Sequence, residues 1–371
     1  MANQTSNAAK SGPTGRGFIG TMAAMSSYDD ESYLDFIEGL RMFALRSMNP
    51  SSARALKSEI DAGKIKSENP KIEETRSVAD PIPVIGIRNR ILHSTQGQNW
   101  AGVLDSYGKN RAALEQELTD AEKDGPGTLR WDPNFVYPDY FTAIPYHRQP
   151  GSYHADPLSG HVYHYGTKVF HGGSNDKDEA KIERISMLPM PADGVMNKFL
   201  DVACAIGSGT VAAKLRWPSA EIHGVEIAGP LVRYAHMRAT RLNSDVHFSQ
   251  QLAEKLDFAD NTFDLIYMST LLHEMPVAEG RIAVQEAKRV LRPGGILVIN
   301  DMLQATKPLN IWSDYDRYFD HRFNNEPYAY NFVHSTLDTF LAEEFASVKN
   351  VIQGKTSTWE CVKWVIASVS R

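Results

Sequence analysis

The chain reads as an α/β protein, a largely parallel sheet preceded by a helical lobe, and three observations predict this. Residues 199–209, Phe-Leu-Asp-Val-Ala-Cys-Ala-Ile-Gly-Ser-Gly, lead from an apolar strand through a small-residue loop into the helix-compatible run Thr210 to Arg216. A second apolar strand, Ile222 to Ile227, carries the acid Glu226 seventeen residues after Gly209. Two further apolar runs, Phe263 to Met268 and Ile296 to Ile299, are separated by a helix-length stretch and the turn Arg292-Pro293-Gly294-Gly295. Short apolar runs alternating with helical stretches are the pattern of a parallel sheet with crossover helices.

The loop chemistry narrows the ligand. Small residues between a strand and a helix let a ligand approach the backbone, and the helix N-terminus offers unpaired N–H groups. A carboxylate at the tip of the second strand is how a Rossmann-like sheet holds the two hydroxyls of a ribose, so a nucleoside-derived cofactor is expected. A dinucleotide site would need Gly-x-Gly-x-x-Gly, but Ala203, Ala205 and Ser208 stand at those positions. Asp201 at the head of the loop would repel a pyrophosphate and could help to hold an ammonium or sulfonium group. Those features point to S-adenosylmethionine rather than a nicotinamide cofactor.

At this point the chain resembles the class I S-adenosylmethionine-dependent methyltransferases, motif by motif from residue 198 to 371. Leu200 to Gly207 is similar to their first motif, in which Gly usually stands where this chain has Ala203 and Ala205. Glu226 matches the acid that holds the ribose. The stretch 248–263, FSQQLAEKLDFADNTF, is similar to the adenine-binding segment of the quinone C-methyltransferase branch, where Asp usually replaces Leu252 before Ala253-Glu254. Phe263 to Met268 looks like the fourth strand, and Arg289 to Ile299 looks like the turn and fifth strand. The resemblance implies a Rossmann-like seven-stranded methyltransferase sheet with an antiparallel last strand. It also implies S-adenosylmethionine contacts at Asp201, Ala203, Cys204, Ala205, Gly207, Glu226, Ile227, Leu252, Ala253 and Ser269. Leu252 cannot accept from the adenine amino group, a loss of roughly 1.5–3 kcal/mol unless another group substitutes.

Composition sets outer bounds. At 371 residues the chain is long enough for a large core and two lobes. A net charge of −6, with Lys and Arg scattered, argues against a nucleic-acid partner, which requires a basic face. Its two cysteines, Cys204 and Cys361, fall on sheet motifs and suggest no disulfide framework. No apolar stretch reaches membrane-spanning length, and a cytoplasmic enzyme is expected. Residues 1–27 lack an acid and carry Lys10 and Arg16, which reads as a disordered tail or, alternatively, an organellar transit segment.

Residues 28–145 are expected to form the helical N-terminal lobe. Leu34, Ile37, Leu40, Phe43 and Ala44 recur at helical spacing. Pro50-Ser51-Ser52 reads as a capped restart, 66–85 as a Pro-bearing loop, and Asn99 to Ala121 as helix again. The methyltransferase domain is expected over 146–371. Its leading segment, Tyr146 to Tyr153, resembles an aromatic-His-x-Gln-x-Gly-Tyr run found in a bacterial methyltransferase subgroup. Tyr146, His147, Tyr153 and Tyr163 are therefore candidates to close over cofactor and acceptor. The histidines at 147, 154, 161, 164 and 171 lack an accompanying Cys or acid cluster, so no metal site is expected.

The acceptor of such a fold sits beyond the C-terminal ends of its fourth and fifth strands. His273 follows the fourth and Asp301 the fifth; His273 is the expected base by its intrinsic pKa, with His321 a second candidate. Glu274 reads as an acid at a helix start. Residues 304–332 are unusually aromatic and are expected to form a lid, with Trp312, Tyr315 and Tyr328 lining a pocket for a small apolar or aromatic acceptor. The other reading of that surface is a homodimer interface. Strands are expected at 347–353 and 359–368. Together these features describe a small-molecule methyltransferase. The alternatives are a protein of the same fold that binds S-adenosylmethionine for a cyclisation or isomerisation, and a non-catalytic partner subunit.

Overall fold

The computed structural model describes residues 16–173 and 175–363. Helix α1 (Tyr28–Phe43) starts where the Ser27 side chain accepts from the Asp30 N–H, with Asp29, Asp30 and Glu31 in its first turn. It does not stop before Pro50. The chain continues through a π-helical turn, Ala44–Met48, into α2 (Asn49–Asp61), where Pro50 occupies the first turn and loses no needed hydrogen bond. Inside the expected loop 66–85 lies α3 (Ile72–Ala79), which buries Thr75 and Ala79 between turns carrying Pro70 and Pro81. The lobe continues with α4 (Pro83–Gly108) and α5 (Arg111–Ala121).

A three-residue strand, β1 (Thr128–Arg130), then leads to α6 (Asp139–Thr142), α7 (Ser159–His171) and α8 (Glu179–Ser186). The alternating core follows as β2 (Lys198–Val202), α9 (Ser208–Arg216), β3 (Glu221–Glu226), α10 (Gly229–Arg241) and β4 (His247–Gln250). Next come β5 (Phe263–Ser269), α11 (Val277–Val290) and β6 (Leu291–Met302). The chain closes with α12 (Ile311–Phe323), α13 (Ala329–Val333), α14 (Leu337–Glu344), β7 (Ser347–Gln353) and β8 (Thr356–Val362).

The strands form one sheet in the order β1-β4-β3-β2-β5-β6-β8-β7. Strands β1 to β6 pair in parallel, and β8 runs antiparallel between β6 and β7. This contains the expected seven strands with their antiparallel last member. The eighth, β1, comes from the N-terminal part of the chain and pairs Thr128 with His247. Gly127 precedes it because a Cβ there would lie 2.0 Å from the Val246 carbonyl oxygen. Strand β8 begins three residues earlier than expected, directly after the Gly354 turn, and residues 364–368 of the expected strand lie outside the described residues.

Two expectations about placement are corrected. Residues 16–27 are not a free tail, for Phe18, Met22 and Met25 are buried. The fully buried Arg238 secures that segment to the sheet domain, donating to Thr21 Oγ1 (3.2 Å), Ile206 O (2.8 Å) and Asp178 Oδ2 (2.7 Å). The expectation of a tail or transit segment over 1–15 lies outside the described residues. The aromatic insert, for its part, packs on the helical lobe. Tyr315 donates to Asp80 (2.9 Å), Asp316 pairs with the buried Arg88, and Phe319 joins Ala44 and Leu92 in a small core.

Candidate active site

Where the strand order reverses beside β2, a cavity of about 740 Å³, counting its open mouth, lies beyond the C-terminal ends of β2, β3 and β5. Val202, Ala203 and Ala205 line it from the first loop, and Val225, Glu226 and Ile227 from the end of β3. Gln251, Ala253 and Glu254 follow β4; Thr270, Leu271, Glu274 and Met275 follow β5. The roof comes from the lobe side, with Tyr140, Phe141, Tyr153 and Tyr163.

The loop after β2 holds Ala203 at φ 58° and Ala205 at φ 48°, followed by Gly207 at φ 73°. A left-handed backbone costs a side chain-bearing residue roughly 1–2 kcal/mol, which explains why related loops favour glycine here. Thr270, also a lining residue, sits at φ 54°. Backbone strain of this kind is retained at ligand sites where the surroundings over-determine it. The coiled loop brings the Ala205 N–H to Glu226 Oε2 at 3.0 Å, while the Ala228 N–H reaches Oε1 at 3.1 Å. Burial outweighs these donors and pushes the Glu226 carboxyl up to about 7.

Of the residues expected from sequence, Ala203, Ala205, Glu226, Ile227, Ala253, Tyr153 and Tyr163 line the cavity. Asp201 does not. Strand alternation turns it to the other side from Val202, where Thr210 donates to it at 2.7 Å and burial raises it to about 6. Cys204 packs into the core beside Phe248, and Gly207 faces that same ring, which would stand 2.7 Å from any Cβ. Leu252 forms a local bridge with Lys255, leaving the cavity wall to Gln251 and Ala253, and Ser269 is buried behind Thr270.

The expected bases lie outside the lining. His273 Nδ1 is 2.5 Å from Asp301 Oδ1, and Asp301 also accepts from the Leu272 and Met302 N–H groups. Burial opposes charge on His273, but Asp301, with Glu274 and Glu326 beyond it, prevails and holds it up at about 9. An imidazole already protonated near neutrality accepts no proton. His321 bonds to the Glu326 carbonyl at 3.1 Å within the insert. Trp312 and Tyr315 face the helical lobe, so neither forms a lid, and Tyr328 reaches only the Tyr140 carbonyl (3.2 Å) behind the roof. Tyr146 stands in the same layer, donating to Glu274 O at 2.8 Å, and His147 lies between Glu274 and Glu326.

Sequence reading missed the roof pair Tyr140-Phe141 and the two wall acids Glu254 and Glu274. Glu254 sits inside the adenine-segment motif, which was its available signal. Glu274, which reads from sequence as a helix-start acid, closes a short 3-10 turn (Leu272–Glu274) ahead of α11, which begins at Val277. The lining thus holds three carboxylates, Glu226, Glu254 and Glu274, and no Lys, Arg or His. The buried His161 and His164 instead pack on Tyr234, with burial lowering both and taking His161 to about 3. Among the described residues no three His, Cys, Asp or Glu side chains are grouped to hold a metal ion, and no helix is long and apolar enough to cross a membrane.

Comparison with known proteins agrees with this geometry. Residues 199–295 match the family model described as a methyltransferase domain. Over 161 residues the chain is 30% identical to the 27-O-demethylrifamycin SV methyltransferase of Amycolatopsis mediterranei, covering 41% of this chain and 58% of that one. It is also 30% identical over 142 residues to the demethylmenaquinone methyltransferase of Lactiplantibacillus plantarum, covering 35% and 59%. The chain thus spans less than two thirds of the curated relatives it matches. Solved structures similar to it include the PH0226 protein of Pyrococcus horikoshii (18% identity, 52% of this chain and 93% of that one, TM-score 0.40). Another is the magnesium protoporphyrin IX methyltransferase of Synechocystis (18%, 50% and 83%, TM-score 0.37). The segment matched as a methyltransferase domain runs from β2 to the turn within β6 and contains the loop after β2 and Glu226, the parts that resemble the class I S-adenosylmethionine-dependent methyltransferases.

The lining fits that cofactor. Glu226 has acceptor capacity left beyond its two backbone donors, since a carboxylate accepts about four hydrogen bonds. A wall with three carboxylates and no cation suits a ligand bearing a sulfonium and an ammonium.

Proposed function

We propose that this chain is an S-adenosylmethionine-dependent methyltransferase acting on a small molecule with an apolar or aromatic body. The observation that carries the reading is the composition of the one enclosure formed by the loop after β2, Glu226 and the roof. Glu226 and Ala253 stand where a nucleoside would be held, while Tyr140, Phe141, Tyr153 and Tyr163 face them with aromatic surface. Bound there, S-adenosylmethionine supplies an activated methyl group, and the sulfur keeps the electron pair of the broken bond. The protein's own task is then to orient the acceptor, exclude water and, where the acceptor carries a proton, remove it.

Glu274 is the acid best placed for that last task, because it lines the wall on the β5 side while His273 stands behind it. The aromatic surface that suggested a homodimer is covered within the chain by the helical lobe. Calorimetric titration with S-adenosylmethionine, followed by measurement of S-adenosylhomocysteine released over an acceptor panel, tests the reading. Micromolar binding with acceptor-dependent release is expected. Absence of binding refutes the reading, and binding without release over the panel would favour the non-methylating alternative.

A further inference from the structure

The acceptor end of the cavity has a chemical bias of its own. Tyr153 is 5% exposed and lines the cavity, yet its hydroxyl has no hydrogen-bond partner among the described residues. Tyr163 stands edge-on to it, ring centroids 5.5 Å apart, and its hydroxyl is likewise unpartnered among them. Glu274 shares the cavity lining with both, and its Oε1 lies 3.0 Å from His147 Nε2. Glu274 offers acceptor oxygens, the two tyrosines offer hydroxyls that accept or donate and ring faces, and no lining residue offers a positive charge.

A carboxylate or phosphate on the acceptor would face the Glu274 carboxylate at the wall, whose cationic partners His147 and His273 stand behind it and outside the lining. An ammonium has only donors, and it is attracted by both carboxylate and aromatic faces. Glu226 and Glu254 border the nucleoside side, following β3 and β4, so Glu274 is the acid left for the acceptor.

We propose that the methyl acceptor is an amine on an apolar or aromatic body, received by Glu274 with the hydroxyls of Tyr153 and Tyr163. The proposal rests on the methyltransferase reading and deepens it. An ammonium acceptor gives one proton to the Glu274 carboxylate, which becomes the carboxylic acid, and the nitrogen regains its lone pair. That pair would form the new nitrogen–carbon bond as the donor's sulfur–carbon bond breaks with its pair kept by sulfur, and the proton leaves Glu274 for solvent.

The test is calorimetry on the full chain at pH 7.5, first loaded with S-adenosylhomocysteine and then titrated with 2-phenylethylamine or 3-phenylpropionate, which share a body and differ in charge. The amine should bind about tenfold more tightly or better. Glu274→Gln should remove most of that preference, and Tyr153→Phe, which keeps the ring and the charge, should weaken amine binding about threefold or more. No measurable amine binding, equal binding, or preference for the carboxylate overturns the proposal while the methyltransferase reading stands. Failure to take up S-adenosylhomocysteine in the loading step overturns both.

Discussion

His147 Nε2 lies 3.0 Å from Glu274 Oε1, and its Nδ1 lies 3.2 Å from Glu326 Oε1, so one imidazole joins the roof segment, the cavity wall and the insert. Burial opposes charge on the ring, but the two carboxylates prevail and raise it to about 10. The same ring helps to hold Glu326 down at about 2. The insert therefore acts on the cavity at one remove, through the residue that orients Glu274.

Replacing His147 by Ala should leave two carboxylates facing each other without a cation. Breaking such a buried pair costs roughly 3–5 kcal/mol, and a ring about one fifth exposed reduces this to about 2–3 kcal/mol. Because the folded value lies above the ordinary 6.5, the stabilisation is complete below about pH 6.5 and is lost as pH rises towards 10. Urea unfolding of both proteins at pH 6.5 and pH 10 should show the gap shrinking; a constant gap would place the ring's role elsewhere.

Glu226→Ala should weaken S-adenosylmethionine binding by about 2–3 kcal/mol, or roughly 30- to 150-fold. Calorimetry with the purified variant measures this directly, and unchanged affinity would remove Glu226 from the ribose.

Affinity for the cofactor should also follow pH. The Glu226 carboxyl, raised by burial to about 7 from its ordinary 4.5, ionises around neutrality, and only the carboxylate can accept from both ribose hydroxyls. Binding should strengthen about tenfold from pH 6 to pH 8, with the rise absent in Glu226→Gln. Stability of the ligand-free chain runs the other way, falling as pH rises from about 4.5 to 7, because the folded state holds that proton more tightly.

His273→Ala should act on stability more than on chemistry. Asp301 is fully buried and would lose its charged partner, a loss of about 2–3 kcal/mol given the two backbone N–H groups it keeps. Thermal unfolding should drop by several degrees while cofactor affinity holds. A 10²–10⁴-fold loss of turnover in fully folded variant would restore His273 as the base.

Gly166→Ala reverses the usual helix rule. Alanine normally favours a helix interior by about 1 kcal/mol, but a Cβ at this position of α7 would lie 2.0 Å from the Trp100 ring of α4. Overpacking should prevail and destabilise the chain by about 1–3 kcal/mol, read from the denaturant midpoint.

The order of legibility follows the range of the interactions. Strands β2, β3, β5 and β6 were readable because each holds a short, mainly apolar stretch bounded by turn residues, and Glu226 because the tip of a strand is a local position. Strand β1 was not, since three partly exposed residues become a strand only by pairing with 247–249. Helix α3 was obscured by the prolines on either side of it. In the insert, the spacing of Trp312, Tyr315 and Phe319 announced a buried face without saying what covers it.

By itself, then, the sequence determined the α/β sheet, the small-residue loop and the acid at the tip of its second motif strand. All of these depend on residues near one another in the chain. The direction of Asp201, the roof of Tyr140 and Tyr153, the withdrawal of His273 behind Glu274 and the docking of 311–323 on the helical lobe were decided only by the tertiary structure. Each of them depends on which surfaces meet across large separations in sequence, and residue type and spacing specify that a side chain is buried without specifying its partner.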